Sequence, residues 1–200
     1  DYGVVRRACG RPLQSCIEAS IGGPRLSGGG AYGSDAKAPD GDRGLNISAL
    51  ALDGVVEALR SLGVEKAADL LANRADVLVP ADISLDLAAA RTDTGSKGDL
   101  TLKGTAGGTE VDGRFGYDGQ IDAFGVAALE ASLKLVNSDG GLLARQIGLV
   151  PPDVQTGTQS GWGWVALEAS GKPNDAVNFH LDSEGIGVLV YFIPIRLCPP

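Results

Sequence analysis

Apolar and polar residues alternate over most of the chain from residue 83 onward. In one segment Leu129, Leu133 and Leu135 are separated by Glu130 and Lys134. This period of two residues is typical of a β-strand with one face in water. The same period predicts strands at 47–51, 83–89, 100–103, 111–117, 129–135, 165–169, 177–181 and 185–192. A glycine-rich stretch at 19–34 has room for one or two more.

The apolar spacing lengthens to that of a helix in three places. Helices are predicted at 53–62, 64–72 and 139–147. Asp53 can cap the first, Ser138 or Asp139 can cap the last, and Gly63 and Gly148 stand where helices end. The first and last helices are expected to pack against the sheet or to close its end, through Val55, Leu59, Leu62, Leu142, Leu143 and Ile147.

The order and spacing of these elements predict the fold class. The strands follow one another closely and are joined mostly by short turns of glycine or aspartate, which favours an antiparallel meander. Nearly every strand is apolar on one side only, as expected when a single curved sheet covers one interior. We therefore predict a mainly β, groove-like sheet with two or three short helices. A β-sandwich would bury the same stripe, and periodicity does not separate the two.

Composition narrows the choice of partners. Among 200 residues there are 30 glycines and only 5% aromatic residues, so turns are many and bulky side chains few. The net charge of -8 is spread along the chain, which argues against nucleic acid or an anionic membrane surface as a partner. The chain begins with Asp1 and has no methionine. We expect it to be a piece of a longer protein whose targeting elements lie elsewhere.

No residue pattern predicts catalysis, a cofactor or a metal. GGGAYG at 28–33 matches a dinucleotide fingerprint by letter, but a polar loop follows where that motif needs a helix. His180 is the one histidine and lies in an alternating strand, so a solvent-facing role is expected. Asp40 and Asp42 lack the later oxygen ligands of a calcium loop. The chain is therefore expected not to be an enzyme.

The cysteines do not define a disulfide framework. Cys9 and Cys16 are close enough in sequence to close a small loop in an oxidising compartment, and Cys198 leaves an odd total. We infer no compartment from them. The disulfide state of Cys9 and Cys16 stays open at this point.

Two longer stretches carry a family resemblance. GDLTLKGTAGGTEVDGRFGYDG, followed by LVNSDGGLLARQIGLVP, resembles the C-terminal region of AsmA-like proteins, which are large envelope proteins of Gram-negative bacteria. Ile147 stands where that family usually has leucine. WVALEASGKPNDAVNFHLDSEGIGVLV is similar to the following pair of strands. The resemblance covers roughly residues 45 to 190 and contains no catalytic signature.

The resemblance implies a domain organisation and a function. Residues 45–192 would form the AsmA-like sheet, 1–44 a poorly defined flank with the glycine-rich segment, and 193–200 a tail. The family implies a β groove in the periplasm, tethered to the inner membrane by a helix that this chain lacks. It also implies phospholipid transport between membranes, or outer-membrane homeostasis, with acyl chains on the apolar surface.

The candidate lining residues are the apolar members of the alternating strands. A packed core is the alternative for each of them. They are Ile83, Leu85, Leu87, Leu100, Leu102, Val111, Phe115, Tyr117, Leu129, Leu133, Leu135, Val177, Phe179 and Leu181.

A second function class is a self-contained β-sandwich module that binds carbohydrate or protein. Trp162 and Trp164 lie two residues apart and would present a stacking surface. Such tryptophans also anchor sheet edges. A closed, lipid-free core would favour this class, and an open apolar surface would favour the first.

Overall fold

A computed structural model describes residues 2–8, 14–21, 23–31, 40–61, 63, 65–93, 95–149 and 161–186. Within these ranges ten strands form one sheet, in which each strand pairs antiparallel with the next in sequence. The strands are β1 (Tyr2–Ala8), β2 (Gln14–Ile21), β3 (Arg25–Ala31), β4 (Gly41–Ala49), β5 (Ala81–Thr92), β6 (Gly95–Ala106), β7 (Thr109–Gly119), β8 (Ala128–Asn137), β9 (Gly163–Lys172) and β10 (Ala176–Glu184). The expected open antiparallel meander is confirmed.

Among the described residues four short helices interrupt the meander, one more than the largest number expected. They are α1 (Asp53–Ser61), α2 (Glu65–Ala72), α3 (Ala75–Leu78) and α4 (Gly140–Gln146), with a 3-10 segment at Ile121–Val126. The helices predicted at 53–62, 64–72 and 139–147 are confirmed. Neither α3 nor the 3-10 segment was expected. Helix α3 ends at Leu78, and the strand predicted at 83–89 begins at Ala81.

The ends of α4 follow the expected capping chemistry. The Asp139 carboxylate accepts a hydrogen bond from the Leu142 N–H at 3.0 Å, which satisfies one of the free donors at the helix start. Gly148 has a φ of +83°, and its N–H donates to the Arg145 carbonyl. This left-handed conformation favours glycine and ends the helix.

The best-packed core lies where α4 meets β8 and β9. Leu143 and Ala144 are fully buried there against Val165 and Ile186. Leu135, Ile147 and Leu149 pack around this cluster. As expected, α4 uses its apolar face to cover one end of the sheet. Helix α1 differs from the expectation, because it packs mainly on α2 and buries Val56. Val55 and Leu59 are only half-buried, and Leu62 lies outside the described residues.

A buried polar network fixes α4 to the turn between β6 and β7. Gln146 Nε2 donates to the carbonyls of Val77, Ala106 and Gly107 at 2.6, 3.1 and 3.2 Å. The Thr109 hydroxyl donates to Gln146 Oε1. Asn137 Nδ2 donates in turn to Thr109 Oγ1 at 2.6 Å. Each of these side chains is at most 8% exposed, so the network takes the place of water at this end of the sheet.

The first strands continue the same sheet. The sequence predicts a poorly defined flank at 1–44. In the structure β1, β2 and β3 pair in order, and β3 joins β4 through Leu26 and Ile47. The expected boundary at 44/45 falls within β4. Glycines 28 to 30 lack side chains, which hides the alternation of β3. The strand expected at 185–192 lies largely outside the described residues, as does the tail at 193–200.

Candidate functional site

The strand register lines up apolar residues in rows that cross the sheet. In antiparallel pairs directly opposite residues share a face. One row runs from β3 to β10 through Gly28, Leu45, Leu85, Leu102, Gly113, Leu133, Leu167 and Leu181. We call the side of the sheet that carries this row the apolar face, and the opposite side the polar face.

All of the residues predicted to line a groove lie on the apolar face. Leu85, Leu102, Leu133 and Leu181 belong to the row just described. Two flanking rows and a third nearer the β5–β6 turn contain the others, which are Ile83, Leu87, Leu100, Val111, Phe115, Tyr117, Leu129, Leu135, Val177 and Phe179. The structure thus brings the whole set together on one surface. Their contact with lipid stays a prediction.

Most of the apolar face is only partly covered. Among the predicted lining residues Leu181 is 38% exposed and the others are half-buried; Leu167, in the same row, is 36% exposed. The buried apolar cluster that packs on these strands lies at the end beneath α4. Within the described ranges the strands form a single sheet, so the second sheet that a sandwich would supply is not among them. This arrangement leaves a broad apolar surface beside water.

The leucines on either side of Gly113, at the centre of the row, come close to this glycine. A Cβ at Gly113 would lie 3.4 Å from side-chain atoms of both Leu102 and Leu133. The glycine itself is buried, so the leucines on either side shield its backbone. The apolar row therefore continues across β7 although β7 has no side chain there.

Several residues of this face were not among the predicted lining residues. Leu45 and Leu167 lie in the central row, and Val165 lies in the row beside it. Their alternation was visible in the sequence, so the signal was present. Arg43 and Arg91 also occupy positions on this face, opposite Leu87 and Ser96 respectively. The position of Arg91 continues the alternation of Leu85 and Leu87, whereas only the strand register reveals that of Arg43.

The polar face carries most of the charged side chains. Arg114 donates from Nε and Nη2 to one oxygen of Asp99, at 2.9 and 2.6 Å, from the neighbouring strand. This hydrogen bond, together with the charge of Asp99, raises the pKa of Arg114 above its ordinary value. The arginine therefore stays protonated at any physiological pH, and the pair is a fixed feature of a wet surface.

The single histidine lies on the polar face. His180 is exposed and pairs in register with Glu168. Both border a shallow depression of about 470 Å³ that also includes Arg114, Glu130 and Asn178. The solvent-facing position expected for His180 is confirmed. Throughout the described ranges, no three histidine, cysteine, aspartate or glutamate side chains converge in a way that could hold a metal ion.

The two tryptophans lie at one margin of the sheet. Trp164 is on the polar face, where its indole N–H donates to Glu184 at 3.3 Å. Trp162 precedes β9 and is 53% exposed. Because Trp164 is bonded to the adjacent strand, it helps to anchor β9 to β10. That contact fits the edge-anchoring role better than a paired stacking surface.

Cys16 forms a disulfide bond. It lies on the polar face of β2, opposite Arg7. Cys9 and Cys198 both lie outside the described residues, so the pairing of Cys9 with Cys16, which the sequence leaves open, is not tested.

Comparison with known proteins adds no relative. No family model, no curated protein and no solved structure matches this chain. None of the described helices is long and apolar enough to cross a membrane.

Proposed function

We propose that the apolar face carries the acyl chains of phospholipids, and that the chain is a non-enzymatic part of a lipid-handling envelope protein. The observation that carries this proposal is the chemistry of the two faces. One face presents continuous rows of leucine, isoleucine and valine that are half-exposed, and the other presents the charged residues. Phospholipid movement or outer-membrane homeostasis is the corresponding role.

An apolar sheet face is stable only when something covers it. A second layer of protein is the usual cover, and among the described elements only α4 packs on the strands with a fully buried cluster. Each methylene group that moves from water to an apolar surface gains about 0.8 kcal/mol. Acyl chains therefore supply a cover of the required chemistry, and the small share of aromatic residues leaves room for them.

The dimensions of the sheet suit an extended chain molecule. Strands lie about 4.8 Å apart, so ten strands span about 43 Å from edge to edge. The central row is apolar or glycine from β3 to β10. A hydrocarbon chain that lies along this row meets apolar atoms from one strand to the next.

The cellular setting follows from the resemblance to AsmA-like proteins and is part of the proposal. It places the chain in the periplasm, tethered to the inner membrane by a segment outside the sequence.

Site-specific crosslinking tests the proposal. A photo-crosslinking amino acid in place of Leu133, which lies on the apolar face, is expected to trap phospholipid in cells. The same replacement of Lys134, the exposed neighbour on the polar face, is the matched control and is expected to trap none. Equal labelling at both positions, or none at Leu133 in a folded protein, would overturn the proposal and favour the binding-module alternative.

A further inference from the structure

Charges of the two signs are distributed unequally between the faces. From β3 to β10 no aspartate or glutamate occupies a position on the apolar face. The charged residues at such positions in these strands are Arg43 and Arg91. Acidic side chains of the same strands, such as Asp86 and Glu168, are all on the polar face. The apolar face is therefore cationic, although the chain as a whole carries a charge of -8.

The two arginines lie near the same end of the apolar face. Arg43 is opposite Leu87, and Arg91 is four residues beyond Leu87 on β5, about 14 Å along the strand. The positions between them on this face are small residues. They are Gly41, Ala89 and Gly98, which form one row. These small residues therefore lie between Arg43, which shares a row with Leu87 and Leu100, and Arg91, which lies near the end of β5.

Burial differs between the two arginines. Arg43 is half-buried and its Nε atom is buried, whereas Arg91 is exposed. Both already interact with another group of the protein. A guanidinium has five N–H donors, so it accepts further ligand oxygens in addition to such a contact. A partly buried arginine beside leucines also acts at lower dielectric than one in water, which strengthens its attraction for an anion.

We propose that Arg43 and Arg91 bind the phosphate of a phospholipid whose headgroup is anionic overall, with its acyl chains on the leucine rows. This inference rests on the proposed function and names its substrate class. The planar fork of arginine matches the oxygens of a phosphate. A zwitterionic headgroup would bring an ammonium group as well, and this face of β3 to β10 offers no carboxylate to receive it.

Lipid exchange with mixed vesicles tests the inference. The purified chain is incubated with vesicles of equal parts phosphatidylglycerol and phosphatidylcholine with identical acyl chains, and bound lipid is identified by mass spectrometry. The wild-type protein is expected to enrich phosphatidylglycerol about tenfold over phosphatidylcholine. This ratio corresponds to the free energy of one charge-assisted hydrogen bond. Arg43→Gln/Arg91→Gln is expected to bind the same total lipid without the enrichment.

A charge-matched double variant controls for overall electrostatics. Arg25→Gln/Arg114→Gln removes the same charge from the polar face and is expected to keep the preference. Equal loss of preference in both double variants would overturn the inference. If the first variant fails to fold, Arg91→Gln alone, at an exposed position, is expected to lower the enrichment at least about twofold. An unchanged enrichment in that variant would also overturn it.

The possible outcomes distinguish failure of the headgroup site from failure of the proposed function. Wild-type protein that binds both lipids equally would refute the headgroup site and leave the acyl-chain surface intact. Wild-type protein that binds neither lipid would refute the proposed function, and the headgroup site with it.

Discussion

The side-chain amide of Gln146 joins α4 to three other parts of the fold. Its amide group bonds to Val77 in α3, to Ala106 and Gly107 at the β6–β7 turn, and to Thr109 in β7. A buried carbonyl that lacks a hydrogen-bond donor destabilises the folded state, because water bonds to the same carbonyl in the unfolded chain. Gln146 therefore determines where α4 covers the apolar face.

Replacing the Gln146 side chain is expected to destabilise the fold. Gln146→Leu keeps a similar volume but leaves three carbonyls and the Thr109 hydroxyl without their partner. At about 1–3 kcal/mol for an unsatisfied buried group, with some relaxation, we expect the free energy of unfolding to fall by about 3 kcal/mol. Urea denaturation followed by circular dichroism measures this change.

The control variant changes the preceding residue. Arg145→Lys on the exposed side of α4 keeps the charge, and is expected to change stability by less than about 0.5 kcal/mol. A Gln146→Leu protein as stable as the wild type would show that the network does not hold the helix.

The residue pattern predicted which face of the sheet a side chain occupies, but not which distant residues it contacts. Alternation placed Leu85 and Leu133 on one face correctly because a strand has a fixed period of two. Gln146 bonds to groups 37 to 69 residues away in sequence, and no local pattern records such contacts. Arg43 stands in a stretch that reads as a polar loop, and only its pairing with Leu87 puts it on the apolar face.

At the scale of elements, the β6–β7 turn is built around two glycines with different surroundings. Gly107 and Gly108 have φ angles of +54° and +78°, as a two-residue hairpin turn requires. A Cβ on Gly107 would lie 1.8 Å from the carbonyl oxygen of Val77 in α3, whereas a Cβ on Gly108 would meet nothing within 4 Å. The Gly107 N–H also donates to the Pro80 carbonyl.

This difference yields a matched pair of variants. Gly107→Ala and Gly108→Ala both place alanine in a left-handed conformation, at about 1–2 kcal/mol each. Gly107→Ala must in addition displace α3, so its loss of stability is expected to exceed that of Gly108→Ala by at least about 1 kcal/mol. Thermal unfolding of both proteins measures the difference. Equal losses of stability would show that α3 shifts without destabilising the fold.

Elements were predictable where a local signal marks their limits. Asp139 and Gly148 mark α4, and Gly63, with a φ of +76°, follows α1. Helix α3 has four residues, too few for a helical period to appear in the sequence. Strand β3 is recognised through its partners, since Leu26 pairs with Ala19 and Ile47 while glycines fill much of the strand.

At the scale of the whole molecule, one sheet separates a charged surface from an apolar one. Contiguous apolar patches beyond a few hundred Å² are uncommon on monomeric proteins and mark binding surfaces. Without lipid, the apolar faces of two copies are the nearest cover of matching chemistry for each other. The faces would then meet as equivalent patches in a symmetric pair.

Lipid-free protein is therefore expected to self-associate, and lipid to reverse the association. Light scattering after size exclusion should give a mass that rises with concentration, and a return to the monomer when phospholipid is added. Leu133→Glu places a carboxylate in the centre of the apolar face and is expected to raise the dissociation constant at least about tenfold, because burying an unpaired charge is costly. Ser132→Glu adds the same charge on the polar face and is expected to leave association unchanged. A lipid-free protein that stays monomeric throughout would mean that the apolar face is already covered within its own chain, which leaves no room for acyl chains.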